Sequence, residues 1–204
     1  MASDAAVDPA DSTLREVDHR VKNNLQMIAS LIQLQCRRTE DETVRAALRT
    51  VLGRVGAVAT VHRRLFQGDP GLFEAADFLR DLTADMAGQA GRDDIQIALD
   101  LEAVTLPAAS GAPFALIANE LLDNALRHAF PPQHGGRIAV GLAPQGGGCR
   151  LTIADDGAGL GGRADGFGLT VVRLLCRQLH AELALEDARP GLRVTLTVPR
   201  RDAG

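Results

Sequence analysis

A chain of 204 residues with 46% hydrophobic content can bury a sizeable core, as one domain or as two small ones. Its 26 acidic residues outnumber 22 basic ones, so there is no whole-chain basic field for a polyanion, and with neither Trp nor Tyr there is little aromatic surface on which bases could stack. No apolar run approaches the ~20 residues that a bilayer span requires, so neither nucleic acid nor membrane is an expected partner.

Residues 1–11, MASDAAVDPAD, are small and acidic and match neither a signal peptide nor a transit peptide. They predict a disordered start to a cytoplasmic chain. From Leu14 onward Val17, Val21, Leu25, Ile28 and Ile32 fall on one stripe of a helical wheel. A second helix is predicted to open at Thr39, with Glu42 completing a capping box, and to run through Val44, Leu48, Val51, Val55, Val58, Val61 and Leu65. Two such helices joined by a short turn form a hairpin over 12–68 with more apolar surface than it can bury alone, which predicts pairing of two copies into a four-helix bundle, a homodimer.

GDPG at 68–71 punctuates the chain, and the pattern beyond it is mixed. Helices are predicted over 72–90, 112–129 and 168–180, and strands over 95–102, 137–144, 149–156, 181–187 and 192–198. The expected architecture of 72–204 is an α+β sandwich with helices on one face of a mixed sheet. Cys36, Cys149 and Cys176 are far apart and lie among apolar neighbours, which predicts reduced, buried thiols rather than a zinc site or disulfides.

Three stretches carry more chemistry than a fold needs. In DHRVKNN, residues 18–24, His19 lies roughly 140° from the apolar stripe, and Asn23 shares its face one turn later. An exposed neutral imidazole oriented by a neighbouring carboxylate such as Asp18 is a phosphoryl acceptor, with Arg20 and Lys22 placed to meet the phosphate. A lone surface histidine would be unremarkable; the polar run around it sets this one apart. In NELLDNALRHAF, residues 119–130, Glu120 and Asn124 stack four apart and together offer oxygen ligands to a hydrated divalent cation. DDGAGL (155–160) ends a strand with Asp155 set to accept from an exocyclic amine, and GFGLTVV (166–172) places glycines ahead of a helix whose N–H groups suit phosphate.

In this order the stretches resemble the histidine kinases, whose ATP-binding domain has the Bergerat fold shared with gyrase, MutL and the ninety-kilodalton heat-shock chaperones. DHRVKNNLQMIASLIQLQ resembles the H-box of the subclass with an HRxKNN motif, related to the HWE kinases, although the tryptophan of that signature is absent. The resemblance implies a dimerisation and histidine phosphotransfer hairpin over 12–68 and a catalytic ATP-binding domain over 72–204. It makes His19 the phosphoacceptor, with Asp18, Asn23 and Glu120 beside the chemistry. NELLDNALRHAF resembles the N-box, which implies that Asn124 and Glu120 serve Mg²⁺ and that Asn119, Arg127 and His128 neighbour the phosphates. DDGAGL resembles the first glycine box, with Asp155 on adenine beside Gly157 and Gly159. GFGL resembles the second, with Gly166, Gly168 and Leu169 near the phosphates.

The implied activity is autophosphorylation of His19 by ATP, then transfer to the aspartate of a response-regulator receiver domain. A phosphorelay without ATP hydrolysis and a regulator phosphatase using Asn23 are the alternatives. The segment from Leu160 to Asp165 is short for an ATP lid, and Leu192 follows Gly191 where many such proteins carry a hydroxyl. No sensory segment precedes the H-box, so a separate sensor protein is the expected input.

Overall fold

The computed structural model describes residues 9–67, 71–131, 133–159 and 167–200, with side chains from Arg20 in the first helix and up to Arg64 in the second. Two long helices come first, α1 (Pro9–Arg38) and α2 (Glu42–Gln67). Because α1 begins at Pro9, residues 9–11 of the segment expected to be disordered are helical; residues 1–8 lie outside the described residues. The turn between the helices is capped by Asp41, not by Thr39. Its Oδ1 accepts the backbone N–H groups of Thr43 at 2.8 Å and Val44 at 3.3 Å. Thr39 contributes its carbonyl instead, which accepts from Arg45 Nη2 at 2.7 Å, while Arg45 Nε reaches the Cys36 carbonyl at 3.4 Å. One arginine thus satisfies two carbonyls that the end of α1 leaves without helical partners.

Within the hairpin Val21, Leu25, Ala29, Ile32 and Cys36 are half-buried, while Met27, Ile28, Leu31 and Leu34 form a second, exposed apolar row. On α2 the apolar face expected from sequence divides. Val44 and Val51 are exposed, whereas Ala57, Thr60 and Val61 near the other end are buried. The cause is α4, against which α2 lies.

The remaining elements are β1 (Leu72–Glu74), α3 (Ala75–Ala90), β2 (Ile95–Leu101), β3 (Thr105–Pro107), α4 (Ala108–His128), β4 (Gly136–Gln145), β5 (Gly148–Asp155), α5 (Phe167–Leu179), β6 (Glu182–Asp187) and β7 (Leu192–Val198). The stretch at 72–74, expected to be helical, is extended and pairs antiparallel with β3, Phe73 opposite Leu106. This two-stranded ribbon seats Phe73 among Phe78 and Phe114, with ring centroids 5.4 and 6.1 Å away. The main sheet has the order β2-β4-β5-β7-β6. Only β2 and β4 run parallel, and α4 lies in the crossover between them.

Alternation along the central strands turns Ile138, Val140, Leu142, Leu151, Ile153, Val194 and Leu196 inward beneath α3, α4 and α5. The outward positions are small or polar, with Ala139 opposite Ala154, Gly141 opposite Thr152 and Thr152 opposite Thr195. The β4–β5 hairpin closes through Gly146 and Gly147 at φ 57° and 79°, a two-residue turn in which both central residues need positive φ. Cys149 and Cys176 are buried free thiols, and burial pushes Cys149 up to about 12 and raises Cys176 as well, so both stay protonated at neutral pH. Cys36 is only half-buried.

Candidate functional site

β5 runs out at Asp155, whose carboxylate is buried where the strand leaves the sheet. Its Oδ1 accepts two backbone N–H groups, from Gly157 at 3.1 Å and from Leu192 at 3.3 Å, so the start of β7 helps to aim it. Leu121, Asn124, Ala125, Ile153, Leu192 and Val194 join Asp155 around a narrow cleft between α4 and the sheet. Apolar walls with one carboxylate and one amide match the chemistry of a flat base that carries an exocyclic N–H donor, and the cleft, about 10 Å³ in this conformation, has to widen to admit one. Leu192, the position where a hydroxyl was looked for, contributes a wall and a backbone donor.

The loop after Asp155 is packed tightly. A Cβ on Gly157 would stand 2.1 Å from the Ala129 carbonyl oxygen, and Ala158 N–H donates to that same carbonyl at 2.9 Å. The missing side chain of Gly157 lets the loop rest on the end of α4. Gly159 is buried at φ 70°. Gly191 is the most constrained, since it combines φ 92° with a Cβ position 1.7 Å from the Asp155 carbonyl oxygen. Gly191→Ala should lower folding stability by about 3 kcal/mol or more through strain and clash together. A chemical-unfolding midpoint equal to the parent's would contradict this.

Residues of α4 divide among its faces. Asn124 lines the narrow cleft with Asp155. Asn119, Asp123, Leu126 and Arg127 instead line a much wider groove that the hairpin and α3 complete. The structure therefore does not bring Asn119 and Arg127, expected beside the phosphates, to the Asp155 cleft. Asn119 faces the hairpin, and Arg127, although only three residues from Asn124, is drawn to Asp123 on the groove side. Arg127 Nε donates to Asp123 Oδ1 at 2.6 Å, and Asn119 faces α2, where a Cβ on Gly53 would lie 3.5 Å from its Oδ1. His128 is exposed at the last residue of α4.

Glu120 is held by a residue the sequence did not single out. Arg54, from α2, donates Nε to Oε1 at 2.7 Å and Nη2 to Oε2 at 2.6 Å, a two-pronged ion pair with side chains 19% and 4% exposed. The Glu120 carboxylate holds the Arg54 guanidinium above its ordinary value, against desolvation, with further help from Glu120 and Asp123 charge. The same guanidinium lies 5.2 Å from the ring centroid of Phe167, the first residue of α5. Gly168 follows in the first turn, and a Cβ there would sit 2.9 Å from Glu120 Oε2. Leu169 is buried beneath it. The available sequence signal was a lone arginine among the small and apolar residues Leu52, Gly53, Val55, Gly56 and Ala57.

Mg²⁺ can be tested against these donors. No group of three or more His, Cys, Asp or Glu side chains among the described residues forms a metal cage. Both Glu120 oxygens face Arg54, and Asn124 offers one amide oxygen beside the cleft. With Glu120 engaged by Arg54, Asn124 alone is left for a cation, which fits Mg²⁺ only where a phosphate chain and water bring its other oxygens. His19 and Asp18 lie within α1, but their side chains, like all of Gly166 and the 160–165 segment, are outside the described residues. Asn23 is exposed on α1.

The chain is similar to known proteins over most of its length. A family profile described as "Histidine kinase" matches residues 16–90, and one described as "Histidine kinase-, DNA gyrase B-, and HSP90-like ATPase" matches residues 111–202. The chain is 33% identical over 207 residues to the sensor histidine kinase PdtaS of Mycobacterium tuberculosis, a match covering 96% of this chain and 41% of that protein. It is 29% identical to the blue-light-activated histidine kinase 2 of Erythrobacter litoralis, over 93% of this chain and 57% of that protein. The chain thus spans about two fifths of the length of its PdtaS relatives. Among solved structures, the histidine kinase domain of the Erythrobacter litoralis blue-light-activated histidine kinase superposes with a TM-score of 0.70 at 27% identity, covering 93% of this chain and 91% of that one.

Proposed function

The chain belongs to the histidine kinase family, and from that premise we propose that it transfers the γ-phosphoryl group of ATP to His19 and from there to an aspartate of a response-regulator receiver domain. The observation that carries the proposal is the cleft in which Asp155 and Asn124 meet under apolar walls, one face of α4 away from the hairpin that bears His19. In the first step an imidazole nitrogen of His19 bonds to the γ-phosphorus as the bond to the β–γ bridging oxygen breaks, and ADP leaves. The imidazole proton passes to a carboxylate, for which Asp18 and Glu120 are the candidates. In the second step a receiver aspartate oxygen bonds to phosphorus, the N–P bond breaks, and the departing imidazole takes back the proton from that carboxylate, which regenerates neutral His19.

Asp155 would receive the adenine amine, with Gly157 and Gly159 shaping the loop beside it. Gly166, Gly168 and Leu169 at the start of α5 would face the phosphates, and Mg²⁺ held through Asn124 would neutralise phosphate charge. Asn119, Arg127 and His128 would reach the phosphates only after the hairpin and α4 rearrange, because the first two line the groove toward the hairpin.

The exposed row of Met27, Ile28, Leu31 and Leu34, with Val44 and Val51 on α2, supports a second copy of this chain as partner, since an exposed apolar stripe of this kind is costly to leave in water. Among the described residues no helix is long and apolar enough to cross a membrane, and we propose a cytoplasmic location because the proposed reaction consumes ATP.

An equilibrium titration with Mg²⁺ and ATP separates the kinase from a relay protein, because only the kinase binds the nucleotide. Asn23, one turn from His19, is assigned the reverse flow, in which its amide positions water at a phosphorylated receiver. Asn23→Ala should keep His19 labelling and slow the decay of receiver acyl phosphate severalfold, with ADP held constant. Equal decay with parent and variant would remove that role.

A further inference from the structure

We propose that Arg54 is an autoinhibitory latch, which in this conformation occupies the Glu120 carboxylate and clamps the start of α5, and which must release before His19 can be phosphorylated. The inference rests on the kinase reading, because it gives Glu120 a task that the observed pairing prevents. Both Glu120 oxygens take guanidinium N–H groups at 2.7 and 2.6 Å, so neither is presented to a proton, a metal or a phosphate.

The position of the contact along the hairpin supports the same conclusion. Arg45 Nε bonds to the Cys36 carbonyl, so the antiparallel pairing sets residue 36 beside residue 45 and residue 19 level with about residue 62. Gly53 and Arg54 lie against Asn119 and Glu120. At ~1.5 Å per residue, the level of His19 is then roughly 12 Å along α2 from the level of Glu120. In the closed arrangement the N-box carboxylate is thus both engaged and out of register with the acceptor.

The latch has a second arm. Phe167 is 72% exposed, and its ring lies over the Arg54 guanidinium at 5.2 Å, just before Gly168 packs on Glu120. A single hairpin side chain therefore holds both the N-box acid and the first turn of the phosphate-side helix. Removing one partner of so enclosed a pair leaves the other charged and unpaired in the closed form, which favours an open form in which Glu120 meets water. Nucleotide binding that needs the open form is weakened by the fraction of molecules held closed, so loosening the latch should tighten it.

The test compares the parent chain with Arg54→Gln, Arg54→Lys and Phe167→Ala, in each case measuring the initial rate of His19 labelling by γ-labelled ATP with Mg²⁺ and the equilibrium affinity for that nucleotide. Arg54→Gln should label roughly tenfold faster and bind severalfold tighter. Arg54→Lys, which keeps the charge but loses the fork, should fall between, and Phe167→Ala should give a smaller gain. The lysine and Phe167 variants keep the test decisive if the glutamine variant unfolds. Equal rates with equal affinities, or slower labelling at unchanged affinity, would overturn the latch while leaving the kinase reading intact. No label on His19 in any variant, with nucleotide still bound, would overturn the kinase reading and with it the latch as a gate on His19.

Discussion

His19→Ala is expected to abolish phosphorylation by ATP while leaving nucleotide affinity unchanged. The nucleotide cleft is built from α4, β5 and β7, and none of its lining residues comes from α1, so removing an imidazole on α1 takes away the acceptor and nothing that holds the base. The substitution is also mild for the helix, since alanine is the best helix former and α1 runs on for nineteen residues beyond this position. The measurement is incorporation of label from γ-labelled ATP, beside a binding isotherm for the same preparation. Undiminished labelling of the variant would remove His19 from the mechanism, and loss of labelling together with loss of binding would show that α1 supports the nucleotide site directly.

The second large effect is at Asp155. Asp155→Asn keeps an oxygen able to accept from the Gly157 and Leu192 N–H groups, so the loop geometry should survive. It places an N–H₂ group where the carboxylate's other oxygen stands, opposing donor to donor against an exocyclic amine. The cost is about 1–3 kcal/mol of binding, roughly 5- to 150-fold in affinity. The effect should be greater for ATP than for a nucleotide whose base presents a carbonyl in place of that amine. Equal weakening for both would mean that Asp155 shapes the cleft without reading the base, and unchanged ATP affinity would mean that Asp155 does not contact the nucleotide.

Elements with strong period were legible from sequence. The alternation of RIAVGLAP and LRVTLTV set β4 and β7 to within a residue or two, and the glycine pair at 146–147 marked the turn between β4 and β5. The three-residue strands β1 and β3 were not legible, because so short a segment has no period, and Leu72 to Glu74 runs without punctuation into the helix after it. α4 begins at Ala108 rather than at 112. Gly111, left outside the expected helix, stands where a Cβ would come within 3.1–3.2 Å of Val61 and Phe73, so tertiary packing overrides propensity. The sequence pointed to Thr39 as the cap, and Asp41 takes that role because α1 runs to Arg38 and α2 opens only at Glu42.

For the site, Asp155 and Asn124 were named from their motifs and meet in one cleft. What the sequence could not convey is that the hairpin reaches the same helix. That contact pairs residues 66 positions apart and runs through Gly53, Ala57 and Gly111, small residues whose part in an interface shows only when the helices are placed together. The i, i+4 spacing suggested one shared face for Glu120 and Asn124; in the structure Asn124 lines the cleft while a guanidinium from α2 engages the Glu120 carboxylate.

The most direct test of the central claim is the chemical stability of the label acquired from ATP and Mg²⁺. If phosphoryl transfer goes to an imidazole nitrogen, γ-labelled ATP should give a phosphoprotein that loses its label in acid and keeps it in alkali, and α-labelled ATP should give none. Label that survives acid, or no label from a preparation that binds ATP, would contradict the account.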